Sequence, residues 1–367
     1  MGLIDRLTGP GPKRILAIDG GGIRGAVAAG YLTRIEAILR QRHNKPELRL
    51  ADYFDLIGGT STGAIIAAGL ALGMSAEDIM NRYLTLGGAA FKKVLIPFQA
   101  KFNELALMEQ LQQIFSDRLI SDPSVITGLC IVTKRADTGS IWPLLNHPHG
   151  KYYPKNSHIR LRDAIRASTA APTYFIPQNL DVGGGETGAF VDGGVSMANN
   201  PALQLFLVAT LKGFPFRWPN GEDKLLLVSV GTGYWAYKRS VEKVDDSNLL
   251  TWASEVPTLL MDDASWQNQL ILQYLSRSPT RQEIDREIGN LANDLLTPNP
   301  VLSYLRYNVA LDKPTLTSLG LNELANKAED LREMSDAANR HDLARIGAVA
   351  AAKEVRGEHF PDAFNLP

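Results

Sequence analysis

Several features that define secreted, membrane-spanning and zinc-binding proteins are scarce or absent in this sequence. It holds one cysteine, so no disulfide can form within the chain, which suits a reducing compartment. No apolar run approaches the roughly 20 residues that a membrane-spanning helix needs. The first residues show no signal-peptide pattern, and no cysteines and histidines stand at zinc-binding spacing. We therefore expect a cytoplasmic protein that contacts a membrane, if at all, as a peripheral protein at the inner face.

Basic and acidic residues are nearly equal in number. The chain has 38 basic and 39 acidic residues, for a formal net charge of −1. Such a balance gives no overall field that would attract a nucleic-acid polymer or an anionic lipid surface, so any charged contact has to be local. We expect no nucleic-acid partner, and an oligomer is compatible with this composition. With 367 residues, of which 45% are hydrophobic, the chain can form a large core.

Short apolar runs alternate with helical patterns through most of the chain. This alternation is typical of an α/β fold in which helices cover both faces of a mostly parallel sheet. After about residue 245 the chain becomes more helical and more charged, with one further strand near 302–309. We expect an N-terminal extension over 1–12, a catalytic domain over 13–310, and a C-terminal helical region over 311–367 packed on the same domain.

The most informative segment is Gly59-Thr60-Ser61-Thr62-Gly63, which follows the pattern G-x-S-x-G. An apolar run that resembles a buried strand precedes it, and an apolar run that resembles a buried helix follows. A strand, a sharp turn and a helix with serine at the turn form a nucleophile elbow. The helix start supplies amide groups that favour a developing negative charge. The pattern indicates that Ser61 acts in acyl transfer.

A glycine-rich loop, Asp19-Gly20-Gly21-Gly22-Ile23-Arg24-Gly25, ends the first strand. Its glycines match a dinucleotide-binding fingerprint, which leaves a non-enzymatic nucleotide-binding protein as one alternative. Asp19 would stand beside the pyrophosphate, however, and no acidic strand end follows about 20 residues later. Consecutive glycines also form a concavity of amide groups suited to an oxyanion. Because an elbow serine needs a partner loop of this kind, we favour an oxyanion hole built by Gly20, Gly21 and Gly22 over a nucleotide site or a plain turn.

An elbow serine needs a base, and the histidines are poorly placed for that role. Only His341 and His359 follow Asp192, and both lie in segments that resemble a solvated surface. An α/β-hydrolase esterase that uses His341 stays open as an alternative. Asp192 ends an apolar strand and precedes two glycines, so its carboxylate can face a cleft and take the serine proton directly. Burial would raise its pKa toward the range of a useful base.

Together these motifs resemble the patatin-like phospholipases, over roughly residues 13–235. The resemblance implies a three-layer α/β/α sandwich and a serine–aspartate dyad of Ser61 and Asp192 that hydrolyses esters of phospholipids or other acyl lipids. It implies that no cofactor or metal is needed. Arg24 and Thr62 are further candidates for contacting substrate, although a structural ion pair is an equal alternative for Arg24.

The resemblance also suggests a partner other than substrate. Some compact bacterial patatin-like proteins are membrane-degrading effectors switched on by a cyclic nucleotide, so we consider a cyclic-nucleotide activator and a role in antiviral defence. A segment over 91–102 mixes aromatic, aliphatic and lysine side chains. That composition suits a lid or a shallow membrane contact, and a partly buried connection with surface lysines is an equal alternative.

Overall fold

The structure is a computed structural model that describes residues 2–90, 104–172, 174–235, 241–245, 247–283, 287, 289–291 and 294–367. Within these residues, nine strands form one sheet. The strands are β1 (Lys13–Ile18), β2 (Leu56–Thr60), β3 (Gly128–Arg135), β4 (Ser140–Leu145), β5 (Gln178–Asp181), β6 (Thr187–Asp192), β7 (Leu225–Val230), β8 (Ser276–Arg277) and β9 (Leu302–Tyr307).

Helices connect and cover these strands. The α-helices are α1 (Leu3–Thr8), α2 (Gly25–His43), α3 (Leu50–Tyr53), α4 (Thr62–Ala71), α5 (Ala76–Ala90), α6 (Glu104–Phe115), α7 (Tyr153–Asn156), α8 (Leu161–Ser168), α9 (Ala202–Thr210), α10 (Val241–Asp245), α11 (Leu249–Leu275), α12 (Lys313–Ser318), α13 (Asn322–Ala325), α14 (Ala328–Leu331) and α15 (Arg340–Glu354). None of those in the described part of the chain is both long and apolar enough to cross a membrane.

The sheet is mostly parallel, which confirms the predicted fold class. Its strands run in the order β5-β6-β3-β2-β1-β7-β9-β8, and β4 pairs with β3 outside this path. The six strands from β3 to β8 in this order are parallel, whereas β4, β5 and β6 form antiparallel pairs. The sequence patterns did not predict β5, because this edge strand has the mixed polar sequence Gln178–Asp181.

Two apolar layers cover the sheet, one on each face. Side chains alternate along β1, so that Leu16 packs in one core with α2, α4 and α15, while Ile15 packs in the other with α1 and α9. Leu16 and Ile15 are both fully buried. The result is the expected three-layer α/β/α sandwich with a core on either side of the sheet.

Both ends of the chain pack against this sandwich. Leu7 of α1 is buried, and its carbonyl accepts a hydrogen bond from Trp218 Nε1 at 2.7 Å. At the other end α15 lies against α2. A Cβ added to Gly30 would lie 2.6 Å from the amide nitrogen of Ala348, so this close helix contact requires glycine.

The strand register brings the two halves of the candidate site together. Thr60 pairs with Val132 of β3, and on the other side of β3 Asp192 pairs with Thr133. The last residues of β2 and β6 therefore flank adjacent positions of one strand. The glycine loop follows β1, the other neighbour of β2, so it leaves the sheet at the same edge as Ser61.

Candidate active site

The chain forms a strand, a sharp turn and a helix around Ser61. Ser61 has φ 55° and ψ −123°, a backbone conformation that non-glycine residues rarely adopt, between β2 and α4. A Cβ on Gly59 would collide with the backbone of Gly63, so the turn requires glycine at position 59. The strained backbone presents the Ser61 side chain to an open cleft, and strain of this kind is typical of functional sites.

A second serine, for which the sequence predicts no individual role, supports this turn. The amide of Ser61 donates a 2.8 Å hydrogen bond to Ser168 Oγ at the end of α8, and Ser168 Oγ donates in turn to the Val132 carbonyl at 2.6 Å. Ser168 is fully buried. Its hydroxyl therefore ties the elbow to β3 and occupies the Ser61 amide.

Asp192 lies at the end of β6 with its carboxylate buried. Its Oδ1 accepts a hydrogen bond from the Gly194 amide at 2.7 Å. Burial raises the pKa of Asp192 to about 6, and the neighbouring Ser61 side chain and the Gly194 amide oppose that rise. Among the described residues, no basic side chain contributes to this shift. The structure thus brings together a serine hydroxyl and a carboxylate whose proton affinity is higher than that of an ordinary aspartate.

The three central glycines of the loop have different surroundings. The Gly20 amide donates to the Asn199 carbonyl at 3.0 Å, and the Gly20 carbonyl accepts from Thr232 Oγ1 at 2.8 Å. The amides of Gly21 and Gly22, in contrast, donate no hydrogen bond to any described residue. Both glycines line the same cleft as Ser61. Of the three predicted donors, Gly21 and Gly22 are those whose amides are available to a ligand in the cleft.

Thr62 connects the elbow to the glycine loop. Its hydroxyl donates to the Gly22 carbonyl at 2.9 Å, and the Tyr83 hydroxyl donates to the same carbonyl. Gly22 itself has φ 56°, the left-handed region that favours glycine. Thr62 is buried but also lines the cleft, so a contact between Thr62 and substrate stays a prediction.

A buried ion pair, which the sequence did not predict, holds the start of the loop. Both carboxylate oxygens of Asp19 pair with Arg306 of β9, with Oδ1–Nη1 and Oδ2–Nη2 distances of 2.9 and 2.6 Å. Arg306 Nη1 also donates to Ser229 Oγ at 2.7 Å. Burial raises the pKa of Asp19, and the guanidinium of Arg306 opposes that rise. The pair joins positions 287 residues apart in the sequence, so no local pattern could indicate it.

Arg24 points into the protein and does not line the cleft. Its guanidinium carbon lies 5.5 Å from the ring centre of Trp235. Burial lowers the pKa of Arg24 to about 10, and the charge of Asp262 on α11 acts in the opposite direction. These surroundings favour a structural role for Arg24, and a contact with lipid phosphate stays a prediction.

The cleft that Ser61 and Asp192 line has a volume of about 1170 Å³. Ser61 and Asp192 line it together with Gly21 and Gly22, and most of its remaining wall is apolar. Side chains of this apolar wall include Ile65, Leu107, Ile141, Phe175, Met261 and Met334. A space of this size and character can hold a long hydrocarbon chain beside the serine hydroxyl.

None of the histidines in the described residues lines this cleft. His341 is exposed near the start of α15, and His359 shares a 3.0 Å hydrogen bond with the Tyr307 hydroxyl. The described residues also contain no group of three or more His, Cys, Asp or Glu side chains that could hold a metal ion. The predicted membrane segment over 91–102 lies outside the described residues.

Two known phospholipases are similar in sequence to part of this chain. A cGAMP-activated phospholipase of Escherichia coli (strain TW11681) is 32% identical over 232 residues, which cover 60% of this chain and 62% of that protein. A cGAMP-activated phospholipase of Vibrio cholerae is also 32% identical, over 52% of this chain and 56% of that protein. In both cases the match spans less than two thirds of the relative's length.

More distant similarities cover more of the chain. Patatin-16 of Solanum tuberosum is 27% identical over 93% of this chain and 84% of that protein. Among solved structures, VipD from Legionella pneumophila aligns over 89% of this chain and 67% of its own, with 13% identity and a TM-score of 0.36. A sequence model of the patatin-like phospholipase family matches residues 16–206, more than half of the chain, and the chain therefore belongs to that family.

Proposed function

We propose that this protein is a lipid acyl hydrolase of the phospholipase A type, with Ser61 as nucleophile and Asp192 as general base. The observation that carries the proposal is that Ser61, on its strained turn, lines the same cleft as Asp192, a buried carboxylate that its side chain influences and whose pKa is raised to about 6. A carboxylate in this state is ionised near neutral pH and still accepts a proton more readily than an exposed aspartate. Relatives that are phospholipases support lipid as the substrate class.

In the first half of the reaction, Ser61 Oγ attacks the acyl carbonyl while Asp192 takes the hydroxyl proton. The carbonyl oxygen becomes an anion, which the amides of Gly21 and Gly22 and the amides at the start of α4 stabilise. The Gly20 amide is already bonded to Asn199, so we assign Gly20 a supporting role. Loss of one oxyanion donor typically raises the barrier by about 3–4 kcal/mol.

The second half of the reaction regenerates the enzyme. Asp192 gives its proton to the leaving oxygen, and the alcohol or lysolipid departs from the acyl-enzyme. Water then attacks the acyl group while Asp192 accepts one of its protons. The second tetrahedral intermediate collapses by breaking the bond between the acyl carbon and Ser61 Oγ, Asp192 returns the proton to Ser61 Oγ, and a fatty acid is released. Each step uses one base and one oxyanion site, both of which face the same cleft.

The experiment that tests this proposal is incubation of the purified protein with mixed membrane phospholipids, with and without added cGAMP, the activator named for the relatives at 32% identity, and identification of products by mass spectrometry. We expect free fatty acid and lysophospholipid, and their loss in Ser61→Ala and Asp192→Asn. His341→Ala serves as the matched control, because His341 is exposed and away from the cleft. Full activity of Asp192→Asn, or loss of activity in His341→Ala, would favour an α/β-hydrolase esterase instead.

Covalent labelling distinguishes the proposed serine hydrolase from a non-enzymatic nucleotide-binding protein. A fluorophosphonate should modify Ser61, since the reagent reacts with activated serines. Tight nucleotide binding without labelling would instead support the glycine loop as a nucleotide site.

We further propose that a cyclic nucleotide activates the enzyme. Both relatives at 32% identity are cGAMP-activated phospholipases, and this similarity is the observation that favours activation here. Such control suits an antiviral enzyme that has to stay silent until a signal is made. Hydrolysis should be low without added cyclic dinucleotide and rise at least about tenfold with it, a change of about 1.4 kcal/mol. Equal rates with and without the nucleotide would contradict this regulation.

A further inference from the structure

Exposed apolar side chains surround the mouth of the cleft. Val195 and Met197 follow the candidate base by three and five residues, and 54% and 55% of their surfaces are exposed. Leu260 of α11 is 64% exposed. All three also line the cleft that contains Ser61 and Asp192. Large apolar side chains that remain this exposed at one place mark an interaction site more often than they mark ordinary surface.

The apolar surface continues along α11 away from the cleft. Trp252, Val256 and Leu260 are spaced by four residues, so they lie on one side of the helix, and all three are exposed. We refer to Val195, Met197, Trp252, Val256 and Leu260 as the apolar rim. A tryptophan at the outer end of an apolar helix face is typical of side chains that settle at a membrane–water interface.

We propose that the apolar rim is the surface through which the protein docks on a lipid bilayer, and that it passes lipid from the bilayer to Ser61. This inference rests on the proposed function. The rim is continuous with the cleft, so a protein bound to it would close the path to the candidate dyad. A lipid surface bound there instead places its own molecules at the entrance. The continuity therefore favours a bilayer over a protein partner.

The charges beside the rim indicate which kind of bilayer it fits. Asp263 lies three residues after Leu260 and is exposed, so its carboxylate flanks the rim on the helix surface. An acidic group at this place opposes an anionic lipid surface. The formal net charge of −1 adds no attraction to anionic lipid. We therefore assign the rim to lipids with zwitterionic head groups, held by insertion of apolar side chains.

The test measures binding to phosphatidylcholine vesicles by co-sedimentation in a Ser61→Ala background, so that binding is observed without hydrolysis. Leu260→Gln should weaken binding by about tenfold, because the burial of a mostly exposed leucine is lost. The double variant Trp252→Gln and Val256→Gln should weaken it by at least as much. Added salt should leave binding of the unmodified rim in place, since exposed charges do not carry it.

Leu296→Gln is the matched control. Leu296 is 65% exposed, nearly the same as Leu260, but it does not line the cleft. Its variant should bind vesicles as the parent does. Equal binding by Leu260→Gln and Leu296→Gln would overturn the proposal. Stronger binding to vesicles that contain phosphatidylglycerol would overturn the preference for zwitterionic lipid.

Two further measurements separate lipid docking from dimer formation and from a failure of the proposed chemistry. With an active Ser61, the Trp252→Gln and Val256→Gln variant should lose more activity on vesicles than on a water-soluble short-chain ester. If the parent protein hydrolyses neither substrate, even with added cGAMP, the proposed function fails, whereas vesicle binding still reports on the rim. If rim variants instead convert a dimer to a monomer in analytical ultracentrifugation and leave vesicle binding unchanged, the rim is an interface between two copies of the chain.

Discussion

The chain places the tripeptide Asp-Gly-Gly at two strand ends, and the two copies have different surroundings. Asp19-Gly20-Gly21 follows β1 and Asp192-Gly193-Gly194 ends β6. Burial raises the pKa of both aspartates. Asp19 has a guanidinium on both carboxylate oxygens, whereas Asp192 accepts a hydrogen bond from a backbone amide and has the Ser61 side chain as a neighbour. The same short sequence thus gives a structural ion pair at Asp19 and a candidate base at Asp192. The difference is that Arg306 lies beside Asp19, whereas no described basic side chain acts on Asp192.

The largest expected effect is on catalysis at the second copy. Asp192→Asn keeps the size and the buried position of the side chain but removes the base. We expect kcat/KM to fall by at least about 10³-fold. The midpoint of urea unfolding should stay the same or rise slightly, because a desolvated carboxylate is replaced by a neutral amide. A parallel loss of activity and stability would contradict a primarily catalytic role.

The same substitution at the first copy should act on stability. Asp19→Asn leaves Arg306 buried without its counter-charge, which costs about 3–5 kcal/mol in comparable buried pairs. Urea unfolding measures this change, with Asp192→Asn as the matched control. If Asp19→Asn destabilised the protein by less than about 1 kcal/mol, the pair would not hold the glycine loop in the way described.

The pH dependence of activity sharpens the contrast further. Asp192 acts as a base only when ionised, and its pKa is raised to about 6. Activity should therefore be half of its maximum near pH 6, approach the maximum about one pH unit higher, and fall by about tenfold for each pH unit well below 6. Hydrolysis of a soluble ester measures the profile. A plateau that extends down to about pH 4, the ordinary value for aspartate, would show that burial does not raise this pKa.

The smallest effect is expected at the hydrogen bond beside the ion pair. Thr232→Val removes the donor to the Gly20 carbonyl at nearly constant volume, and we expect a loss of about 1 kcal/mol in the free energy of unfolding. Since Gly20 adjoins the proposed oxyanion donors, kcat should fall several-fold. Thr33→Val is the control, because Thr33 makes a similar bond to Ala29 on an exposed helix face. Equal kcat values for the two variants would place Thr232 outside the support of the loop.

The sequence predicts most of this fold because its central strands are buried on both faces. Runs such as Leu225–Val230 are apolar at nearly every position, and glycine-bounded turns mark where they end. The edge strand Gln178–Asp181 lacks that signal, since one side of it meets solvent. Local pattern therefore finds the centre of the sheet and misses its edge.

The candidate site divides in a similar way. Ser61, Asp192 and the glycine loop each stand in a recognisable local motif, so the sequence could single them out. Arg306 and Ser168 do not, because their roles come from contacts with residues far away in the chain. The separate surroundings of Gly20 also depend on such a contact, with the Asn199 carbonyl. Only the folded arrangement shows which amides remain available.

The ion pair between Asp19 and Arg306 also bears on how the protein is made. Arg306 on β9 is synthesised 287 residues after Asp19. A growing chain without β9 has a carboxylate without its Arg306 partner at the start of the glycine loop. The loop therefore acquires its final support only after β9 has been synthesised and has joined the sheet. A lipid-degrading activity that depended on this support would be absent from a nascent chain that lacks β9.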